Sequence, residues 1–206
     1  MHLKLPFSFT AGKKIISYLH TETKDTVTRY NLPSLLPIMA IREIVTYPAP
    51  VLREKAVKIE TFDEALRELA DDMVETMYAA QGVGLAANQI GIAEQIVVVD
   101  TSTQEDERKH IVLINPVISE GEGNVPDLEG CLSVVEYSAK VDRFRKIRVT
   151  AQDLGGKDFD FIAEDRFARI IQHEVDHLLG TLFIDRISSL KRSLYKKKLK
   201  KILKKQ

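Results

Sequence analysis

The feature that most narrows what this chain can be is a five-residue run, His173-Glu174-Val175-Asp176-His177. On an α-helix, residues four apart share a face, so both imidazoles reach toward one point with Glu174 beside them. Two imidazoles and an adjacent carboxylate suit metal-assisted hydrolysis, the carboxylate acting as general base. Taken alone, the same pattern also arises by chance in a charged helix. The third ligand therefore decides what kind of site this is.

The residues around the run limit the choice. Gly180 stands where metzincin-type peptidases carry a glycine, but Phe183 occupies the place of their third histidine, and phenylalanine binds no metal. Thermolysin-like enzymes use a downstream glutamate, whereas the only acid after His177 is Asp185, too close to the helix end. His2, His20 and His110 have no helpful spacing. Cys131 is the best remaining candidate, giving a His₂Cys set with a fourth position open to water. As the only cysteine, Cys131 allows no internal disulfide. A lone thiol fits a reducing compartment, either kept for chemistry or serving as a small apolar filler.

With 206 residues the chain has room for one domain with a proper core. Its 44% hydrophobic and 29% charged residues give an ordinary globular balance, and no apolar stretch approaches the roughly 18 residues of a membrane span. The net charge of zero hides a polarity. Of 30 basic and 30 acidic residues, five and two lie in 1–38, and nine and none from Lys191 onward, which leaves 16 and 28 between. An acidic body thus carries a strongly basic tail.

Three parts are expected: an N-terminal appendage over 1–38, a catalytic domain over 39–190 and a basic helical tail over 191–206. The appendage, which shows no sustained period, is a leader or upstream translation, an ordered extension, or a targeting peptide. Glu22 and Asp25 weigh against an organellar transit peptide. Ile41 to Val45 reads as a first extended segment, followed by turn residues Pro48 and Pro50. Thr61 with Glu64 has the capping-box form, and Leu66, Leu69, Met73 and Met77 recur at helical spacing. β-Branched runs follow at Ile96–Val99, Ile111–Ile114 and Ile147–Thr150, with turns predicted at Gly121–Asn124 and Gly155-Gly156. A second helix is predicted over about Glu164–Leu179, and a third from Leu190 to the end. Strands clustered between helices make the fold α+β, with small mixed or antiparallel sheets around a central metal-binding helix and a basic helix at the C-terminus.

Two further segments carry a family likeness. Gly82-Val83-Gly84-Leu85-Ala86-Ala87-Asn88-Gln89 and Glu129-Gly130-Cys131-Leu132-Ser133, with the histidine run, resemble the three signature motifs of peptide deformylases in the family's order. The resemblance extends from about Met39 to Leu190, including Thr46-Tyr47-Pro48 and Leu182-Phe183-Ile184-Asp185. It implies a metal-dependent hydrolase that removes the formyl group from the N-terminal methionine of nascent polypeptides. It implies Cys131, His173 and His177 as ligands of one divalent ion, Fe²⁺ by preference with Zn²⁺ or Ni²⁺ as alternatives. Glu174 would act as base and then acid. The side-chain amide of Gln89 and the backbone N–H of Leu132 would donate to the oxyanion. Val83 and Gly84 would pair with the peptide backbone, Gly130 would set the chain geometry at the cysteine, and Ile170 would line the methionine pocket or belong to the core. Asp176 would orient a ligand or stand as a solvated charge.

The sequence departs from the family's common pattern in two places. Val135 and Ser138 stand where a proline and a substrate-holding arginine are usual, although Arg143 keeps a later basic position. Asp165-Arg166-Phe167 replaces the usual Gly-Leu-Leu. These changes bear on peptide affinity and pocket shape, not on the ligands, base or oxyanion donors. The basic tail, with Leu190, Leu194, Leu199, Ile202 and Leu203 interspersed, reads as an amphipathic helix. The expected partners are the nascent chain and the ribosome near its exit tunnel. A solvated helix and a membrane surface are the alternatives. No DNA partner is expected, and the compartment is the bacterial cytoplasm. Two rival readings stand beside this one: a metallopeptidase of general amide specificity, and a peptide- or ribosome-binding protein on a degenerate scaffold.

Overall fold

Two apolar faces along one short strand set the layering. Strand β2 (Ile96–Asp100) is buried on both sides, so its residues read as an unbroken aliphatic run. Ile96 and Val98 face one helix, α1 (Glu64–Ala79). Val97 and Val99 face the other, α2 (Asp165–Leu178). The computed structural model describes residues 40–102 and 108–204, so the expectations for the 1–38 appendage lie outside the described residues.

Between the helices runs one five-stranded antiparallel sheet in sequence order: β1 (Gly84–Ala86), β2, β3 (His110–Cys131), β4 (Val134–Gln152) and β5 (Asp158–Glu164). The register Gly84↔Val99 and Ala86↔Val97 places β1 at one edge. Ala168, Ile171, Val175 and Leu178 form the inward stripe of α2, spaced three and four apart, and pack on Val97, Leu113, Ile147 and Val149. Burying each of the isoleucine, valine and leucine side chains contributes on the order of 2 kcal/mol, and the alanine less. Leu66, Ala70, Met73 and Met77 of α1 close the opposite face over Leu85, Ile96 and Ile114. A third cluster gathers Leu52, Val141, Phe183, Tyr195 and Leu199 under α3 (Ser189–Leu203).

The α+β reading, with antiparallel pairing around the motif helix, agrees with this architecture. Several local expectations change. The N-cap of α1 is Asp63, whose carboxylate accepts from the Leu66 N–H at 3.1 Å; Thr61 lies outside the helix, so the Thr61/Glu64 box does not form. Ile41–Val45 stays outside the sheet. It is tied down instead by Arg42 N–H to Thr76 Oγ1 at 2.8 Å and Val45 N–H to the Gln89 carbonyl at 2.7 Å. Gly121–Asn124 is not a chain reversal. It sits inside β3 at a register shift between Ser119 and Glu122, where Glu120 and Gly123 take positive φ and bend the strand while pairing continues. The predicted turn at Gly155-Gly156 does form.

Helix α2 stops at Gly180, whose φ of +70° favours glycine and whose missing side chain leaves room for the Arg53 carbonyl. At its other end Asp165 takes φ +50°, keeping the left-handed backbone that the family's usual glycine would supply. Ser188 caps α3 by accepting from the Lys191 N–H. Among the described residues, no helix is long and apolar enough to cross a membrane.

Candidate active site

Three elements bring the chemistry together. Cys131 ends β3, where the two-residue turn Leu132-Ser133 leads straight into β4. His173 and His177 lie one turn apart on the buried length of α2. The Cys131 sulfur and the two imidazoles offer ligand atoms that all lie within 4.8 Å of one another. Cys131 Sγ and His177 Nε2 are 3.2 Å apart.

The surrounding polar groups set the direction of these donors. Glu129, two residues before Cys131, meets His173 Nδ1 at 3.1 Å, which leaves Nε2 of that ring for a ligand role. Arg143 grips the same carboxylate through two bonds of 3.0 Å, and Arg169 donates to it at 2.7 Å. Burial alone would raise the Glu129 carboxyl, but hydrogen bonds from His173 and Arg143 outweigh it and hold the group down at about 2. Asp176 is buried and pairs with both Arg143 and Arg186, so it braces the helix and is not a solvated charge. A thiol and two imidazoles converging this closely, one ring aligned by a carboxylate, fit a divalent transition metal.

Glu174 differs from the other buried acids. Its side chain lies against Gly84 of β1, with no space for a side chain there, and its Oε2 has no hydrogen-bond partner among the described residues. Burial pushes this carboxyl up to about 7, against the pull of the His173 and Arg143 charges. A group poised near neutrality beside three ligand atoms can both take and return a proton.

Gln89 comes from the short 3-10 turn Ala87–Ile90 that follows β1. Its Oε1 accepts from the Ala86 N–H at 2.8 Å, which turns Nε2 toward Ser133 Oγ at 3.3 Å and Cys131 Sγ at 3.7 Å. The Leu132 backbone N–H, at the hairpin turn, has no acceptor among the described residues. A cleft of ≈ 460 Å³ opens over these groups, lined among others by Val83, Gly84, Gly130, Leu132, Ile170, His173 and Glu174. Ile170 borders the cleft and also packs against the core.

All ten sequence-derived site residues therefore lie in or beside this cleft, except that His177 sits beneath it as a fully buried ligand candidate. Arg143, the later basic position, points inward to Glu129 and Asp176 and is 3% exposed. Val135 and Ser138 do not line the cleft. Sequence reasoning gave Glu129 and Arg169 no role. The signal for Glu129 was its place two residues before Cys131, on the same side of a strand.

Comparison with known proteins agrees with the geometry. The family model for polypeptide deformylase matches residues 41–193. A peptide deformylase of Desulfotalea psychrophila is 55% identical over 164 residues, covering 79% of this chain and 97% of that protein. The crystal structure of a peptide deformylase from Legionella pneumophila superposes with a TM-score of 0.74 at 44% identity, over 80% of this chain and 96% of that one. A Met-Ala-Ser-bound crystal structure of a class I type b peptide deformylase from Acinetobacter baumannii gives 0.69 at 31% identity, over 73% and 100%. A converging thiol and imidazole pair, an unpartnered buried glutamate and these matches over most of the sequence lead to one conclusion: the chain belongs to the polypeptide deformylase family.

Proposed function

We propose that Cys131, His173 and His177 hold one divalent metal ion and that Glu174 is the proton carrier in hydrolysis of the formyl amide on N-terminal methionine, with release of formate. Membership of the family makes the chain a metal-dependent hydrolase of formyl-peptide amides; what is proposed is the division of labour among its residues. The observation that carries it is Glu174, buried, unpartnered and raised to about 7 beside the three ligand atoms.

When bound, the ion supplies Lewis-acid activation of water and of the carbonyl. The chain's own residues do the rest. Glu174 accepts the proton of the attacking water and returns it to the departing amine. Gln89 Nε2 and the Leu132 N–H donate to the oxyanion, each held before substrate arrives. The open edge of β1 at Val83-Gly84 adds the peptide as a further strand, and Ile170 with Gly130 borders the methionine side chain. The Met-Ala-Ser-bound relative supports a cleft of this kind for a methionine-led peptide.

The thiolate and two imidazoles suit Fe²⁺, which we take as the native ion, with Zn²⁺ or Ni²⁺ able to substitute. Residues 39–190 are assigned as the catalytic domain, 1–38 as an appendage and 191–206 as a basic tail. Helix α3 buries Tyr195 and Leu199 and leaves Lys191, Lys196, Lys197, Lys200 and Lys201 exposed. That exposed charge supports the ribosome as partner, and with it action on nascent chains in the bacterial cytoplasm. The reading is tested by formate release from N-formyl-Met-Ala-Ser by anaerobically prepared, Fe²⁺-loaded protein, beside Glu174→Ala. Release that is lost in the variant while metal content is kept supports it. No release at full metal occupancy overturns it and favours general peptidase or binding roles.

A further inference from the structure

The cleft has a direction. Glu174 lies level with Gly84, so the formyl group must sit there. Beyond Gly84 the strand runs into the core, since Leu85 and Ala86 are fully buried. A peptide lying along this edge therefore leaves past Val83 and Gly82 toward Gln81, which is exposed. Helix α2 floors the same path: His173 at the reacting end, Ile170 one turn out, and Arg166 one further turn beyond.

The spacing then matches a peptide to the helix. At 1.5 Å per residue, Ile170 lies about 4.5 Å and Arg166 about 10.5 Å from His173 along α2. In an extended peptide, side chains on one face repeat every two residues, about 6.8 Å. If the methionine side chain sits at Ile170, the third residue's side chain reaches about 11 Å, level with Arg166.

Arg166 is the uncommitted cation there. It is exposed and forms no ion pair among the described residues, whereas Arg169 is held by Glu129 and the Val125 and Val141 carbonyls. Arg166 also borders a smaller adjoining recess of ≈ 200 Å³ with Val125 and Phe144, so the cleft continues past it. Three acids stand nearby among the described residues. Asp165, bordering the same recess, is paired with Arg145 at 3.0 Å. Asp127 lies 4.0 Å from Arg169. Asp100 is bonded by Ser102 and Tyr78; burial would raise its carboxyl, but those bonds and, last in order, the Arg166 charge hold it below the usual range. None of the three closes an ion pair with Arg166.

We propose that Arg166 is a specificity-determining residue of the deformylase cleft, selecting formyl-methionyl peptides that carry aspartate or glutamate at the third position. This rests on the deformylation reading above. An Arg–carboxylate pair at a half-open rim gives about five- to tenfold discrimination, about 1 to 1.4 kcal/mol.

The test compares kcat/KM for formyl-Met-Ala-Asp-amide and formyl-Met-Ala-Lys-amide within each protein; the amide ends remove the terminal carboxylate that would mimic the signal. The wild-type ratio is expected at five to ten in favour of aspartate, near one in Arg166→Leu and inverted in Arg166→Glu. The wild-type preference should also shrink at high salt. A ratio near one in the wild type, or the same ratio in all three proteins, overturns the proposal. Silence toward both amides and toward formyl-Met-Ala-Ser is a failure of the reaction reading instead. Calorimetric binding of Met-Ala-Asp-amide against Met-Ala-Lys-amide then decides: tighter aspartate binding that is lost in Arg166→Leu sustains the role of Arg166, and equal binding removes it.

Discussion

Replacing Gly84 by alanine should damage catalysis while leaving the metal ligands in place. The added Cβ would lie 2.9 Å from both Cγ and Cδ of Glu174 and closer still to its Oε1. Carbon atoms in contact ordinarily stay near 3.5–4.0 Å apart, so the two groups must separate by roughly 0.5–1 Å. Helix α2 cannot give this distance as a body, because His173 and His177 flank Glu174 and would move with it. The carboxylate must therefore turn aside. Overpacking of this size costs about 1–3 kcal/mol of stability. A displacement near 1 Å of the proton carrier costs about 100-fold in rate. The assay is formate release with metal content measured on the same sample, and thermal unfolding in a double-mutant cycle with Glu174→Ala. In the Glu174→Ala background the clash has no partner, so Gly84→Ala should cost less than about 0.5 kcal/mol. An equal stability cost in both backgrounds, or kcat within twofold of the wild type, would refute the reasoning.

Three other outcomes are expected. Glu129→Gln removes the charge that Arg143, Arg169 and His173 share, costing about 3 kcal/mol of stability. It should also weaken metal affinity about 10- to 100-fold, read by competition with a chelating dye; unchanged affinity would mean that the carboxylate does not align His173. Tyr195→Phe should be neutral or stabilising by up to about 1 kcal/mol, because the phenol is buried, pushed up to about 12 by burial, and has no hydrogen-bond partner among the described residues. A loss above 1 kcal/mol by chemical denaturation would show the hydroxyl to be satisfied. Changing Lys196, Lys197, Lys200 and Lys201 to alanine, which leaves the buried Tyr195 and Leu199 in place, should weaken ribosome binding at least tenfold and flatten its salt dependence. Unaltered binding and slope in sedimentation assays would remove the tail from that role.

The local chemistry of this protein was written in its residue order. A five-residue run with histidines four apart can use both rings at once only on a helix, so α2 and its ligand pair were legible from spacing. The aliphatic runs at Ile96, Ile111 and Ile147 showed the strands for the same reason, since short β-branched segments bounded by turn residues have few alternatives. Elimination left Cys131 as the best candidate for a third ligand, and the resemblance of its motif supplied the role. What spacing could not reveal was partnership between segments distant in the chain. Glu129, Arg143, Asp176 and Arg169 became one buried network only when β3, β4 and α2 packed together. Arg143 was legible only as a later basic position, because a sequence shows a charge but not the side of the sheet it occupies. Gly121–Asn124 read as a turn because positive-φ residues favour turns, and only pairing with β4 shows them bending a continuous strand. The raised carboxyl of Glu174 and the exposed guanidinium of Arg166 likewise belong to tertiary structure: burial and the nearness of other charges decide both, and neither quantity exists until the chain has folded.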